Sequence, residues 1–131
     1  VIRVAGNIVA PSQIGSIEFA TERFGTRLVV VLGHQNCGAV SATLNELRQP
    51  SEDRSPNLSA IVDRVRPAVE PLMDNDAEEA EMLKRAVQAN IHQSVEQLRT
   101  GSDILAGQVQ NDGLEIVGAQ YSLSTGRVEF L

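Results

Sequence analysis

Tryptophan is absent from this 131-residue sequence, and cysteine occurs once. A lone thiol, Cys37, cannot close a disulfide within the chain, so no covalent staple holds the fold. A single free thiol suits a reducing compartment and sets a cytoplasmic expectation. Aromatic residues are scarce: Phe19, Phe24, Tyr121 and Phe130 are the whole set, which leaves no platform for stacking bases. Basic residues number 11 against 17 acidic ones, for a formal net charge of −6. No segment clusters Lys and Arg densely enough to follow a phosphate backbone, so no nucleic-acid partner is expected. No apolar run approaches the roughly 20 residues a helix needs to cross a bilayer, so no membrane partner is expected either. Internal repeats and low-complexity tracts are also missing.

What is present reads as globular. The chain is 42% hydrophobic and 21% charged, and its length suits one compact domain with a real core. It opens on Val1, inside an apolar run, as a fold entered part-way would. The expectation is a single domain over residues 1–131, apparently missing its N-terminal part.

The order of elements follows from periodicity and punctuation. Val1 to Ala5 is β-branched and closed by the Gly6-Asn7 turn signal, which predicts a short strand. Ser12 is placed to cap a helix over about 13–24, with Ile14, Ile17, Ala20, Thr21 and Phe24 on one face and Gly25 as its stop. Residues 27–33 are a continuous apolar run of strand length, the habit of a strand buried on both faces. A polar loop, His34 to Gly38, leads into a helix over about 39–48. Residues 49–57 read as a surface loop. Ser55-Pro56 starts a helix that Pro67 and Pro71 bend or end. The longest helix is predicted from Asp76 to about Thr100, with Leu83, Val87, Ile91, Val95 and Leu98 as its stripe. A short helix near 102–110 precedes two strands, 114–119 and 127–131, around Ser124-Thr125-Gly126. This order predicts an α/β fold: a mainly parallel sheet flanked by helices, with a C-terminal hairpin at the edge.

The informative loop lies at the carboxyl end of the apolar strand, where ligands gather in open α/β sheets. It holds the only Cys and one of two His. A nucleophile elbow would need Gly two positions to either side of Cys37, where Gln35 and Ala39 stand. Dinucleotide and P-loop glycine patterns are absent. Cys–His nucleophilic catalysis remains open, although nothing supplies an oxyanion hole or an orienting third group. Metal binding fits better, since imidazole and thiolate three positions apart on a turn can converge on one zinc ion. The plain alternatives are a buried small hydrophobe at Cys37 and a helix-capping polar residue at His34. His92, beside the apolar stripe of the long helix, reads as a border polar residue.

Residues 18–38 carry a resemblance. Glu18, Phe19 and Ala20, the apolar Val29 to Val31, and Gly33-His34-Gln35-Asn36-Cys37-Gly38 resemble a signature of the β-class carbonic anhydrases; Thr21 and Phe24 stand where aliphatic residues are usual. Val1-Ile2-Arg3-Val4-Ala5-Gly6-Asn7, Asn90-Ile91 and the segment Gly118 to Tyr121 with Ser124 to Val128 are similar to further family patterns. The likeness runs through nearly the whole chain in order. It implies a zinc-dependent lyase that reversibly hydrates carbon dioxide to bicarbonate and a proton. His34 and Cys37 match two of the zinc ligands. Gly38, at a helix N-terminus, can offer its N–H to a bicarbonate oxygen because no side chain blocks the approach, and Ala5 and Phe19 match positions lining an apolar substrate pocket in the family. A homodimer or higher even oligomer is implied as well. The family's other Cys ligand, with a catalytic Asp and Arg, comes from a C-x-D-x-R motif ahead of the first strand, and no such motif occurs between Val1 and Leu131. The expectation is that the gene encodes it upstream of Val1. A zinc-depleted interaction or regulatory module on the same fold is the alternative.

Overall fold

A computed structural model of the chain describes residues 1–73 and 77–131. A 3-10 turn (Ala5–Asn7) leads to α1 (Pro11–Phe24), β1 (Leu28–His34), α2 (Gly38–Arg48) and α3 (Pro56–Val69). A second 3-10 turn (Glu70–Leu72) follows, then α4 (Glu79–Thr100), α5 (Asp103–Asn111), β2 (Glu115–Tyr121) and β3 (Val128–Phe130). The predicted start of the long helix at Asp76 lies outside the described residues.

The three strands form one sheet in the order β1-β2-β3. β1 and β2 pair in parallel, from Leu28 with Glu115 to His34 with Tyr121. β2 and β3 pair antiparallel as the closing hairpin, in which Gly126 takes φ 73. This is the α/β arrangement expected, with the hairpin at an edge.

α4 lies across one face of the sheet. Its buried residues Val87, Ile91, Val95 and Leu98 meet Val31 and Ile116 from the strands and Val40, Leu44, Val65 and Val69 from α2 and α3. Arg99 fastens the end of α4 to the sheet by donating from Nη2 to the Ile116 carbonyl, at 2.6 Å. α1 is tied to the start of α5, where the Ser102 hydroxyl donates to the Glu18 carboxylate at 2.6 Å and accepts from the Leu105 N–H.

Several expectations give way. Val1 to Val4 is exposed extended chain and not a strand, because β-branched residues make a strand only where a ladder partner exists. β1 is buried on one face only: Val29, Val31 and Gly33 turn toward the helices, while Leu28, Val30 and Leu32 are exposed on the face no described helix covers. α1 begins at Pro11 with Ala10 at its cap and no capping side chain, so the fixed φ of proline starts the helix, not Ser12. Phe24 is 75% exposed; it meets Phe19 edge to face, at 5.7 Å between ring centroids, instead of facing the core. α3 runs through Pro67 and stops before Pro71.

Candidate metal centre

β1 delivers His34 to the rim of the sheet. The imidazole is exposed, and its Nδ1 lies 2.9 Å from the Gln35 carbonyl oxygen. A carbonyl only accepts, so this contact puts the proton on Nδ1 and leaves the lone pair of Nε2 free. A metal-ligating imidazole is commonly held this way, one ring N–H fixed by a backbone oxygen and the other nitrogen presented.

Cys37 sits at the cap position of α2 and is 4% exposed, among the core residues that include Val40 and Leu44. Such burial removes the access a nucleophilic thiol needs. It suits a structural small hydrophobe or a closed metal ligand. His34 does not cap α2, since its ring nitrogen is engaged with the Gln35 carbonyl.

Zinc implied by the resemblance needs three or four protein donors. The donor types at His34 and Cys37 fit that ion, but the number does not. Among the described residues no group of three His, Cys, Asp or Glu side chains is placed to hold a metal. His92 stands exposed on α4 as a border polar residue should, and joins no such group.

The loop between the two donors is held from outside. The Gln35 N–H donates to the Tyr121 carbonyl at 3.1 Å, and the Ser122 hydroxyl donates to Gln35 Oε1 at 3.1 Å. Asn36 takes φ 54, a left-handed conformation Asn tolerates better than most residues. Behind the loop, buried Asn90 donates from its amide to the Gly6 carbonyl at 2.7 Å. The Ser94 hydroxyl donates to the Asn7 carbonyl at 2.9 Å and accepts from the Asn7 amide at 3.2 Å. These bonds fix the Gly6-Asn7 turn against α4 and next to α2, where a Cβ on Gly6 would lie 3.1 Å from that of Ala39. Local spacing does not reveal the network, since its partners stand more than 80 residues apart; two polar residues inside an apolar stripe are its only sequence signal.

The remaining predicted residues are not drawn into one pocket. Gly38 is exposed at the first position of α2, and a Cβ there would meet nothing within 4 Å. Ala5 is exposed beside the Gly6 turn, and Phe19 is 57% exposed on α1. A cleft of about 420 Å³ lies at the other end of the sheet, beside Arg99 and the start of β2. A second, of about 280 Å³, lies at the carboxyl ends of β1 and β2, against Gln35 and Asn36. Neither Ala5 nor Phe19 lines either cleft.

The sequence profile of the carbonic anhydrase family matches residues 1–128. The chain belongs to that family. The carbonic anhydrase of Mycolicibacterium smegmatis is 36% identical over 98% of this chain and 61% of its own length. Carbonic anhydrase 2 of Mycobacterium tuberculosis is 31% identical over 97% of this chain and 59% of its own. The chain thus spans about three fifths of the length of these relatives.

Solved structures place the fold in the β class. The Coccomyxa β-carbonic anhydrase in complex with acetazolamide superposes with a TM-score of 0.85 at 22% identity, over all of this chain and 60% of that one. CafA of Aspergillus fumigatus gives 0.83 at 24% identity, over 99% and 62%. One of the two tetrameric β-carbonic anhydrases of Sordaria macrospora gives 0.79 at 25% identity, over 100% and 66%.

Proposed function

We propose that the protein is a zinc-dependent lyase that reversibly hydrates carbon dioxide to bicarbonate and a proton, with His34 and Cys37 among the ligands of the metal. The observation that carries this reading is the Gly33-His34-Gln35-Asn36-Cys37-Gly38 turn at the rim of β1, with no partner for the second imidazole nitrogen among the described residues, in a chain of the carbonic anhydrase family. Zinc, when bound, would lower the pKa of water from its ordinary value towards about 7 and so supply hydroxide at neutral pH.

The chain's own residues have distinct parts in this reading. The Gln35 carbonyl keeps the His34 tautomer that leaves Nε2 available. Gly38, at the first position of α2, has its N–H free of any helical partner, and the positive end of the helix favours a bicarbonate oxygen there. Ala5 and Phe19 offer apolar surface to carbon dioxide, which carries no net charge. Both are exposed in the single chain, and so are Leu28, Val30 and Leu32. A homodimer or higher even oligomer would cover such surface, and the tetrameric Sordaria relatives support that assembly. The lone thiol supports a cytoplasmic location.

A zinc-depleted module on the same fold is the second reading, favoured because among the described residues no third donor joins His34 and Cys37 in a metal-holding group. Zinc content and carbon dioxide hydration by stopped-flow separate the two. Close to one zinc per chain, with activity that Cys37→Ser abolishes, supports the enzyme. A folded protein without zinc or activity, even when zinc is supplied during refolding, rejects the enzyme and leaves the module.

A further inference from the structure

The cleft at the carboxyl ends of the two parallel strands has a chemistry of its own. It is lined by Gln35 and Asn36 from the β1–α2 loop, Gln120 from β2, Ser124 from the hairpin, and Lys84, Val87 and Ala80 from α4. Three carboxamides, a hydroxyl and an ammonium group converge on one space, and none of the lining side chains is a carboxylate. Lys84 is the only lysine in the chain. Among the described residues no carboxylate lies within ion-pair distance of it, and the neighbouring Glu81 is engaged by Arg85 Nε at 3.0 Å. Gln35 already spends its amide oxygen on the Ser122 hydroxyl, which leaves its NH2 as a donor. A donor-rich space with one positive charge is matched by a single negative charge carried on oxygen. Val87 and Ala80 complete the lining with apolar atoms that a purely inorganic anion would leave unused.

We propose that this cleft binds a short-chain organic monocarboxylate. Its carboxylate meets Lys84 and the amides of Asn36 and Gln120, and its alkyl end rests on Val87. The cleft touches both residues between His34 and Cys37, so an occupant restrains the loop that carries them. That last consequence rests on the proposed metal site; the binding itself does not.

The test uses the metal-free 131-residue chain, labelled with 15N, and propionate as the probe. Sodium chloride at equal ionic strength is the control, and sodium bicarbonate the competitor class. Propionate is expected to give saturable shifts of the backbone amides of Gln35 and Asn36 and of the side-chain NH2 groups of Asn36 and Gln120. Lys84→Met is expected to weaken binding about tenfold or more, the worth of one charge-assisted hydrogen bond, while Lys84→Arg keeps it within a few-fold. Arg23→Met, at an exposed position on α1, removes the same charge away from the cleft and leaves binding unchanged. Shifts no larger than chloride gives, equal binding by Lys84→Met, or binding of bicarbonate but not propionate would each overturn the proposal. Because no metal is present, failure here says nothing about zinc, and failure to bind zinc says nothing about the cleft.

Discussion

Ile91 fills the space above Gly33. A Cβ built on Gly33 would lie 2.5 Å from Ile91 Cδ1, and one built on Gly118 of the neighbouring strand 2.7 Å from Ile91 Cγ2. The long helix therefore rests on two bare backbone positions, one on each parallel strand, and the first of them is the residue before His34. Gly33→Ala is expected to destabilise the fold by about 1–3 kcal/mol through overpacking, read as a lower urea midpoint. Ile91→Val in the same chain should recover part of that loss, since the two sites share one volume. A loss within about 0.5 kcal/mol would show that α4 can shift away at little cost.

Asn90 is 2% exposed and spends its amide on the Gly6 carbonyl. Asn90→Ala removes the donor and strands a carbonyl, at an expected cost of about 1–3 kcal/mol in chemical denaturation. Ser94→Ala, which releases the Asn7 carbonyl, should cost a similar amount. The two losses should not add, because both mutations free the same turn. Strict additivity would mean that Gly6 and Asn7 are held by other contacts.

The particular residues show what local pattern could and could not give. The apolar run over 27–33 followed by a polar turn predicted β1 and the loop after it, because a strand of that composition and a glycine-flanked stop are local properties. The stripe from Val87 to Leu98 predicted the buried face of α4 in the same way. Gly25, with φ 64, ended α1 as a residue free of a Cβ can. Val1 to Val4 failed because a strand is a property of a pair, and the sheet as it stands has no ladder for it. The outward turn of Phe24 and the bare side of β1 failed for a related reason: periodicity says which residues share a face, not whether anything covers it. The place of His34 at the end of β1 and of Cys37 at the start of α2 was legible from the strand–turn–helix pattern. The Gln35 carbonyl that sets the imidazole tautomer and the remote Asn90 and Ser94 were not, since they depend on tertiary contacts.

The proposed metal site gives a contrast between the two histidines. His34→Ala and Cys37→Ser should each lower zinc affinity about tenfold or more, as removal of a ligand does more severely than removal of an outer partner. His92→Ala, at an exposed position on α4, should leave zinc content and stability unchanged within about 0.5 kcal/mol. Inductively coupled plasma measurement of zinc per chain, beside thermal melts, reads all three variants. Equal zinc loss in His92→Ala would mean that the two imidazoles, and not the His34–Cys37 turn, define the site.

The uncovered side of the sheet carries the last prediction. Leu28, Val30 and Leu32 of β1 and Phe130 of β3 are all exposed and, by the alternation of strands and the register of β2, point to one side. Contiguous apolar surface of this kind on a folded chain marks an association surface. Val30→Lys places a charge in its middle without entering the core, where Val29 and Val31 face the helices. The folded chain should keep its circular dichroism spectrum, while sedimentation shifts from the proposed oligomer to a monomer. Charge at a buried interface must lose its hydration, so the association constant should fall by at least about a hundredfold, as expected for about 3 kcal/mol. An exposed substitution on α2, Ala42→Lys, adds the same single charge and should leave sedimentation unchanged. If Val30→Lys sediments as the unmodified chain does, this side of the sheet takes no part in the proposed assembly, and the exposed Phe19 and Phe24 of α1 become the surface to test next.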